Sequence, residues 1–167
     1  MPDVIGLDLS LTSTGMAIVG EEFTIQTKEK GMERIDYIAD IVLAESSQFS
    51  DPYFIIEGYA FAKKGSHAHA QGELGGVIRH AIWKLGWPYV DVPPTVRAKF
   101  ATGKGNASKS EVVSAVSAKT GKVFEGRGAD DMADAWILRE MGLVYFGEGQ
   151  FEWPAKNMEA MEKVEWV

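Results

Sequence analysis

The chain has 167 residues, 46% hydrophobic and 25% charged, with a net charge of −7 and no cysteine. That is enough for one domain with its own core, and it excludes a disulfide framework, thiolate metal sites and a cysteine nucleophile. No apolar stretch reaches the roughly 18–20 residues of a membrane span, and Asp3 and Asp8 interrupt the first apolar run, so the sequence predicts a cytoplasmic protein with no signal peptide and no membrane contact.

The opening stretch, VIGLDLSLTSTGMAIV over residues 4–19, organises the rest. Read as a strand, it lines one face with Ile5, Leu7, Leu9 and Leu11 and the other with Val4, Gly6, Asp8 and Ser10. A carboxylate therefore stands in an apolar strand, where burial without a partner would cost several kcal/mol. Its small neighbours leave room for something positive. Alternatively, Asp8 ends the strand and caps the turn-rich SLTSTG.

Val4–Leu9, Gly15–Val19 and Phe23–Thr27 read as a three-strand meander. Met32 to about Ser47 has helical periodicity in Met32, Ile35, Ile38, Ala39 and Val42. A strand follows at Tyr53–Gly58, then YAFAKKGSHAHA, whose composition suggests a loop containing His67 and His69. Exposed or DNA-facing histidines are expected there rather than metal ligands.

A second helix runs from about Gln71 to Leu85, and Trp87–Val92 is a fifth strand stopped by Pro93 and Pro94. TVRAKFATGKGNA offers a short helical turn and a basic, glycine-bearing loop. Ser108-Lys109-Ser110-Glu111 is a capping box opening a helix to about Lys119. The last helix, about Asp131 to Phe146, is apolar nearly all round and should be buried. This order predicts an α/β fold with a mixed sheet flanked by helices. Residues 1–146 form the expected domain, and 147–167 an acidic tail carrying Phe151, Trp153 and Trp166, which packs on the core or on a partner.

Charge is unevenly spread. Residues 1–57 carry a net −8, residues 58–127 a net +7 and residues 128–167 a net −6. A basic middle fits a surface that meets a polyanion, or simply a solvated lysine-rich face.

Three further acids stand where burial makes them expensive. Glu57 closes the strand YFIIE, at the end where open α/β sheets place ligands. Asp131 and Asp134, three apart, share a helix face. Asp130 is a plausible N-cap, but Asp134 lies a full turn in, where capping no longer explains it. Four converging carboxylates would repel strongly, and two divalent ions would cancel their charge. An oxygen-only ligand set selects magnesium first and manganese next. Two such ions about 4 Å apart are the usual apparatus for phosphodiester hydrolysis.

The strand IGLDLSLTSTGMAIV, the strand IIEGYAF, the segment VRAKFATGKGNASKSEV and the helix ADDMADAWI together resemble the RuvC-type Holliday-junction resolvases, of the ribonuclease H-like superfamily, over roughly residues 3–142. The resemblance implies a five-stranded mixed sheet, a three-strand meander plus two parallel strands. It implies catalytic, metal-binding acids at Asp8, Glu57, Asp131 and Asp134, and two Mg²⁺ per site with Mn²⁺ able to substitute. The family's D-x-x-D-A pattern selects Asp131 over Asp130.

Lys109 matches a phosphate-contacting position, and Arg97 or Lys99 another, with a gap differing by about one residue. Tyr59 and Phe61 both fall where the family keeps an aromatic thought to stack at the branch point. Lys63, Lys64 and Lys104 are further DNA-contact candidates from the basic middle. Family members are homodimers that nick branched DNA symmetrically, leaving 5′-phosphate and 3′-hydroxyl ends. The acidic tail, negative charge and compact size suggest a divergent, phage-type member.

TGKG around Lys104 lacks the GxxxxGK[ST] of a nucleotide-binding loop, so no nucleotide cofactor is expected. Three rival readings compete. A sugar-kinase or actin-like protein would need a second domain that 167 residues cannot supply. A ribonuclease H-like nuclease acting on forks, three-way junctions, flaps or RNA–DNA hybrids would keep the same acids. A non-catalytic DNA-binding relative would not need them.

Overall fold

A computed structural model describes residues 1–59 and 66–167, the side chains of 66 and 67 excepted. Phe61, Lys63 and Lys64 lie outside the described residues. Five strands, β1 (Asp3–Asp8), β2 (Thr14–Ile18), β3 (Glu21–Ile25), β4 (Pro52–Glu57) and β5 (Tyr89–Val92), form one sheet in the order β3-β2-β1-β4-β5. The meander pairs antiparallel, while β1–β4 and β4–β5 are parallel. Leu7 lies opposite Ile56, so the carboxyl ends of β1 and β4, with Asp8 and Glu57, emerge side by side.

Helices α1 (Gly31–Ser46) and α2 (Ser66–Lys84) cover one face of the sheet. There Ile5, Leu7, Phe54 and Ile56 pack with Ile38, Val42, Leu74 and Ile78. The other face carries α3 (Pro94–Thr102), α4 (Lys109–Thr120) and α5 (Ala129–Tyr145). Val4, Ile55, Val90 and Val92 meet Phe100, Val116, Ile137 and Met141 there. The alternation expected of the first strand is observed: Ile5 and Leu7 face α1 and α2, and Val4 faces α5.

Two glycines seat α5. A Cβ at Gly6 would lie 2.1 Å from the Ala135 carbonyl oxygen, and one at Gly15 would lie 2.1 Å from that of Asp131. The space beside Asp8 that the sequence reserves for something positive is therefore filled, at Gly6, by helix backbone.

Three expectations are corrected. The second helix begins at Ser66, so SHAHA is helical and His69 stands exposed on α2. The short turn after Pro93 is a nine-residue helix, with Pro94 in its first turn and Gly103 closing it in the left-handed region. Helix α5 starts at Ala129 behind Gly128, so Asp130 lies inside its first turn and is not the N-cap residue. The capping box at Ser108 and Glu111 forms reciprocally, as expected.

The tail packs on the core. Its two short turns, α6 (Ala155–Met158) and a 3₁₀ turn (Glu159–Lys163), contact α3. Buried Glu140 accepts hydrogen bonds from the Gln150 and Phe151 amides and from the Trp153 indole, at 2.9–3.1 Å. Asn157 donates to the Phe100 carbonyl at 2.8 Å, and Trp166 stacks on Tyr145.

Candidate active site

The turn after β1 is held by its own hydroxyls. Thr14 Oγ1 donates to the Ser10 carbonyl at 2.7 Å and accepts from the Ser10 amide at 3.1 Å. Asp8 is thus not needed as a turn cap, and its carboxylate faces Glu57 instead. Helix α5, drawn close by Gly6 and Gly15, brings Asp134 to the same place. Ligand oxygens of Asp8, Glu57 and Asp134 lie within 4.8 Å of one another. Asp131, one turn earlier on α5, joins them in lining a pocket of about 520 Å³ that also touches Tyr59, Gln71, Arg79, Arg97 and Lys109.

Burial dominates the electrostatics. It pushes the Asp8 carboxyl well above the usual carboxylate range, reinforced by the neighbouring charge of Glu57. Burial likewise raises Asp134 to about 7, against the opposing pull of Arg97. Asp131 is raised mainly by burial, although Ser13 hydrogen-bonds it. Asp130 goes the other way: desolvation is outweighed by the Lys109 ammonium, 3.0 Å away, and its carboxyl falls below the usual range.

Arg97 does not stand on the surface as a phosphate contact would. It is 7% exposed, and its Nη1 lies 2.7 Å from Glu57 Oε2 and 2.8 Å from Asp134 Oδ2. Its buried Nε has no hydrogen-bond partner among the described residues. One guanidinium thus offsets one of the four acidic charges. The rest remain to be met by another cation, and an oxygen-only donor set in a chain without cysteine fits a hard divalent ion.

The basic middle is largely consumed internally. Arg79 pairs with Asp91, Lys99 with Glu159, Lys104 with Glu111, Lys109 with Asp130 and Lys122 with Glu22. Lys119 hydrogen-bonds the Glu152 carbonyl and lies over the Trp153 ring. Lys99 and Lys104 do not line the pocket, whereas Lys109 and Tyr59 do. Ser13, Gln71 and Arg79 escaped the sequence reading. Ser13 sits in an ordinary-looking turn, and Arg79 beside the apolar stripe of an amphipathic helix, so neither carries a local signal.

Among the described residues no helix is long and apolar enough to cross a membrane. No protein-family profile and no curated protein matches the sequence. Solved structures do match. Thermus thermophilus RuvC in complex with Holliday junction substrate superposes with a TM-score of 0.67 at 21% identity, over 89% of this chain and 98% of that one. Another structure of T. thermophilus RuvC gives 0.64 at 21% identity, over 87% and 96%. The chain therefore has the fold seen in T. thermophilus RuvC, at a sequence identity of 21%.

Proposed function

We propose that the protein is a metal-dependent endodeoxyribonuclease that resolves four-way DNA junctions, acting as a homodimer that nicks two strands symmetrically. The observation that carries this reading is the convergence of Asp8, Glu57 and Asp134, with Asp131 beside them, in one pocket of a RuvC-like fold. These four residues would hold two Mg²⁺ or Mn²⁺ ions. Bound there, such ions would supply an activated water and stabilise the leaving oxygen, giving 5′-phosphate and 3′-hydroxyl ends.

The chain's own groups do the remaining work. Arg97 holds Glu57 and Asp134 at a fixed separation, so the ligand oxygens are set before substrate arrives. Lys109, with its side chain 71% exposed at the pocket edge, would meet a phosphate. Tyr59, 47% exposed and lining the same pocket, would meet a base.

Nicking of a synthetic four-way junction, beside forked, flapped and linear duplexes and an RNA–DNA hybrid, tests the reading. Paired nicks in the junction, dependent on added Mg²⁺, are expected. Preferential cutting of another substrate would move the assignment to a different ribonuclease H-like nuclease, and metal-independent binding without cutting would remove the enzyme.

A further inference from the structure

We infer that Arg79 is a positioning residue that fixes the Tyr59 ring as a platform for an unpaired nucleobase beside the acid pocket. This rests on the nuclease reading above, in which Tyr59 already meets a base, and adds to it the residue that holds the ring in place. Arg79 is 8% exposed although it belongs to α2, whose apolar side packs on the opposite face of the sheet from α5. Its Nε and Nη2 donate to Asp91 Oδ1 at 3.0 and 2.8 Å, and Nη2 also reaches the Glu57 carbonyl at 3.3 Å. Two strand ends thus hold the guanidinium. The remaining nitrogen, Nη1, donates to the Tyr59 hydroxyl at 3.2 Å, and the guanidinium carbon lies 4.6 Å from the ring centroid.

Gly75 completes the seat. A Cβ there would come within 2.5 Å of the Tyr59 hydroxyl and 2.6 Å of Arg79 Nη1. Ordinarily such side-chain ends could move aside, but Arg79 is anchored at its other nitrogens and has nowhere to yield. The ring is therefore backed by a cation yet nearly half exposed toward the pocket mouth, two residues from Glu57. Its uncovered surface suits a flat, apolar partner. Next to a phosphodiester site that partner is a nucleobase, and stacking of this kind accepts any base.

Single-turnover cleavage by the wild type and by Arg79→Lys, Gly75→Ala and Tyr59→Leu variants tests this, on two junctions differing only at one position. One is fully paired; the other carries an unpaired base next to the scissile phosphate. Lysine can still pair with Asp91 but loses the fork that holds the ring. On the paired junction each variant should be slower by about 5- to 150-fold, the range expected when one base–aromatic stack is lost.

The unpaired base should restore most of that loss, because the cost of opening it is already met. Equal loss on both junctions, or no loss on either, in the Arg79→Lys variant overturns the positioning role of Arg79 while leaving the nuclease reading intact. A wild-type protein that cuts neither junction overturns the nuclease reading and the platform with it.

Discussion

On the side of the sheet covered by α1 and α2, the buried cluster is built from Ile, Leu, Val, Met, Phe and Ala side chains, and among the described residues those helices bury only Ser46 and Arg79 as polar groups. On the side covered by α5, the buried groups include Arg97, Asp134, Arg139, Glu140 and Asn157. Within α5 itself the two ends differ. At the carboxyl end Glu140 is satisfied by two amides and an indole, and Arg139 donates to the Val4 carbonyl at 3.0 Å. At the amino end Asp131 and Asp134 meet other carboxylates and, among the described residues, a single buried cation, Arg97.

Both ends bury ionisable groups, so partnering tells them apart. A completed network holds the tail in place, whereas carboxylates left facing each other mark a place for a ligand.

The largest effects should separate these roles. Asp8→Asn is expected to abolish cleavage, by roughly 10⁴-fold or more, while junction binding survives and the metal-free protein melts higher because a buried repulsion is gone. Cutting at the normal rate would remove Asp8 from the metal site. On the aliphatic face, Ile38→Ala should destabilise the fold by about 2–5 kcal/mol in urea unfolding, since Ile38 is fully buried, and leave the cleavage rate of folded protein unchanged. A rate loss there would mean that α1 also shapes the pocket.

At the far end of α5, Glu140→Ala leaves three part-buried donors without their acceptor and should cost about 2–3 kcal/mol, with a red shift in Trp153 emission as its indole is released. Stability falling without that shift would show that the tail is held by its aromatic packing alone.

Much of this contrast was legible in the sequence. Strand alternation put Asp8 and Gly6 on one face, and the apolar run after Asp131 announced a buried helix in which Asp134 had no ordinary reason to be. The partners were not legible. Arg97 reaches Glu57 from 40 positions away and Lys99 reaches Glu159 from 60 away, and no local pattern encodes such pairing. For the same reason the basic middle suggested a free cationic surface, when most of its described side chains are tied to acids of the chain itself. The tail was open because its aromatic residues would suit a core or a partner equally well.

The acid cluster also reverses the usual pH dependence. Asp8, Asp131 and Asp134 are all pushed by burial above the ordinary aspartate value of 3.8 in the folded chain, Asp134 to about 7. Between those values the folded state binds more protons than the unfolded one, so stability falls as pH rises from about 4 to 7. Without divalent ions the melting temperature should therefore be higher at pH 5 than at pH 7.5, by on the order of 5 °C. Saturating Mg²⁺ should erase the difference by holding the carboxylates ionised in both conditions. A metal-free protein that gains stability as pH rises through this window would mean the acids are further apart in solution.

The smallest effect concerns the rim. Lys109 is bonded to Asp130, which raises its pKa, and both side chains are substantially exposed. On the proposed reading, a phosphate arriving there would have to displace that carboxylate, so the pair would set how much of the lysine's charge DNA can use. Lys109→Ala should weaken junction binding and reduce the slope of log affinity against log salt by about one. Asp130→Asn should do the reverse: tighter binding, because the ammonium no longer has to leave a partner. If both variants weaken binding equally, the pair acts as a brace between α4 and α5, and the phosphate is met elsewhere.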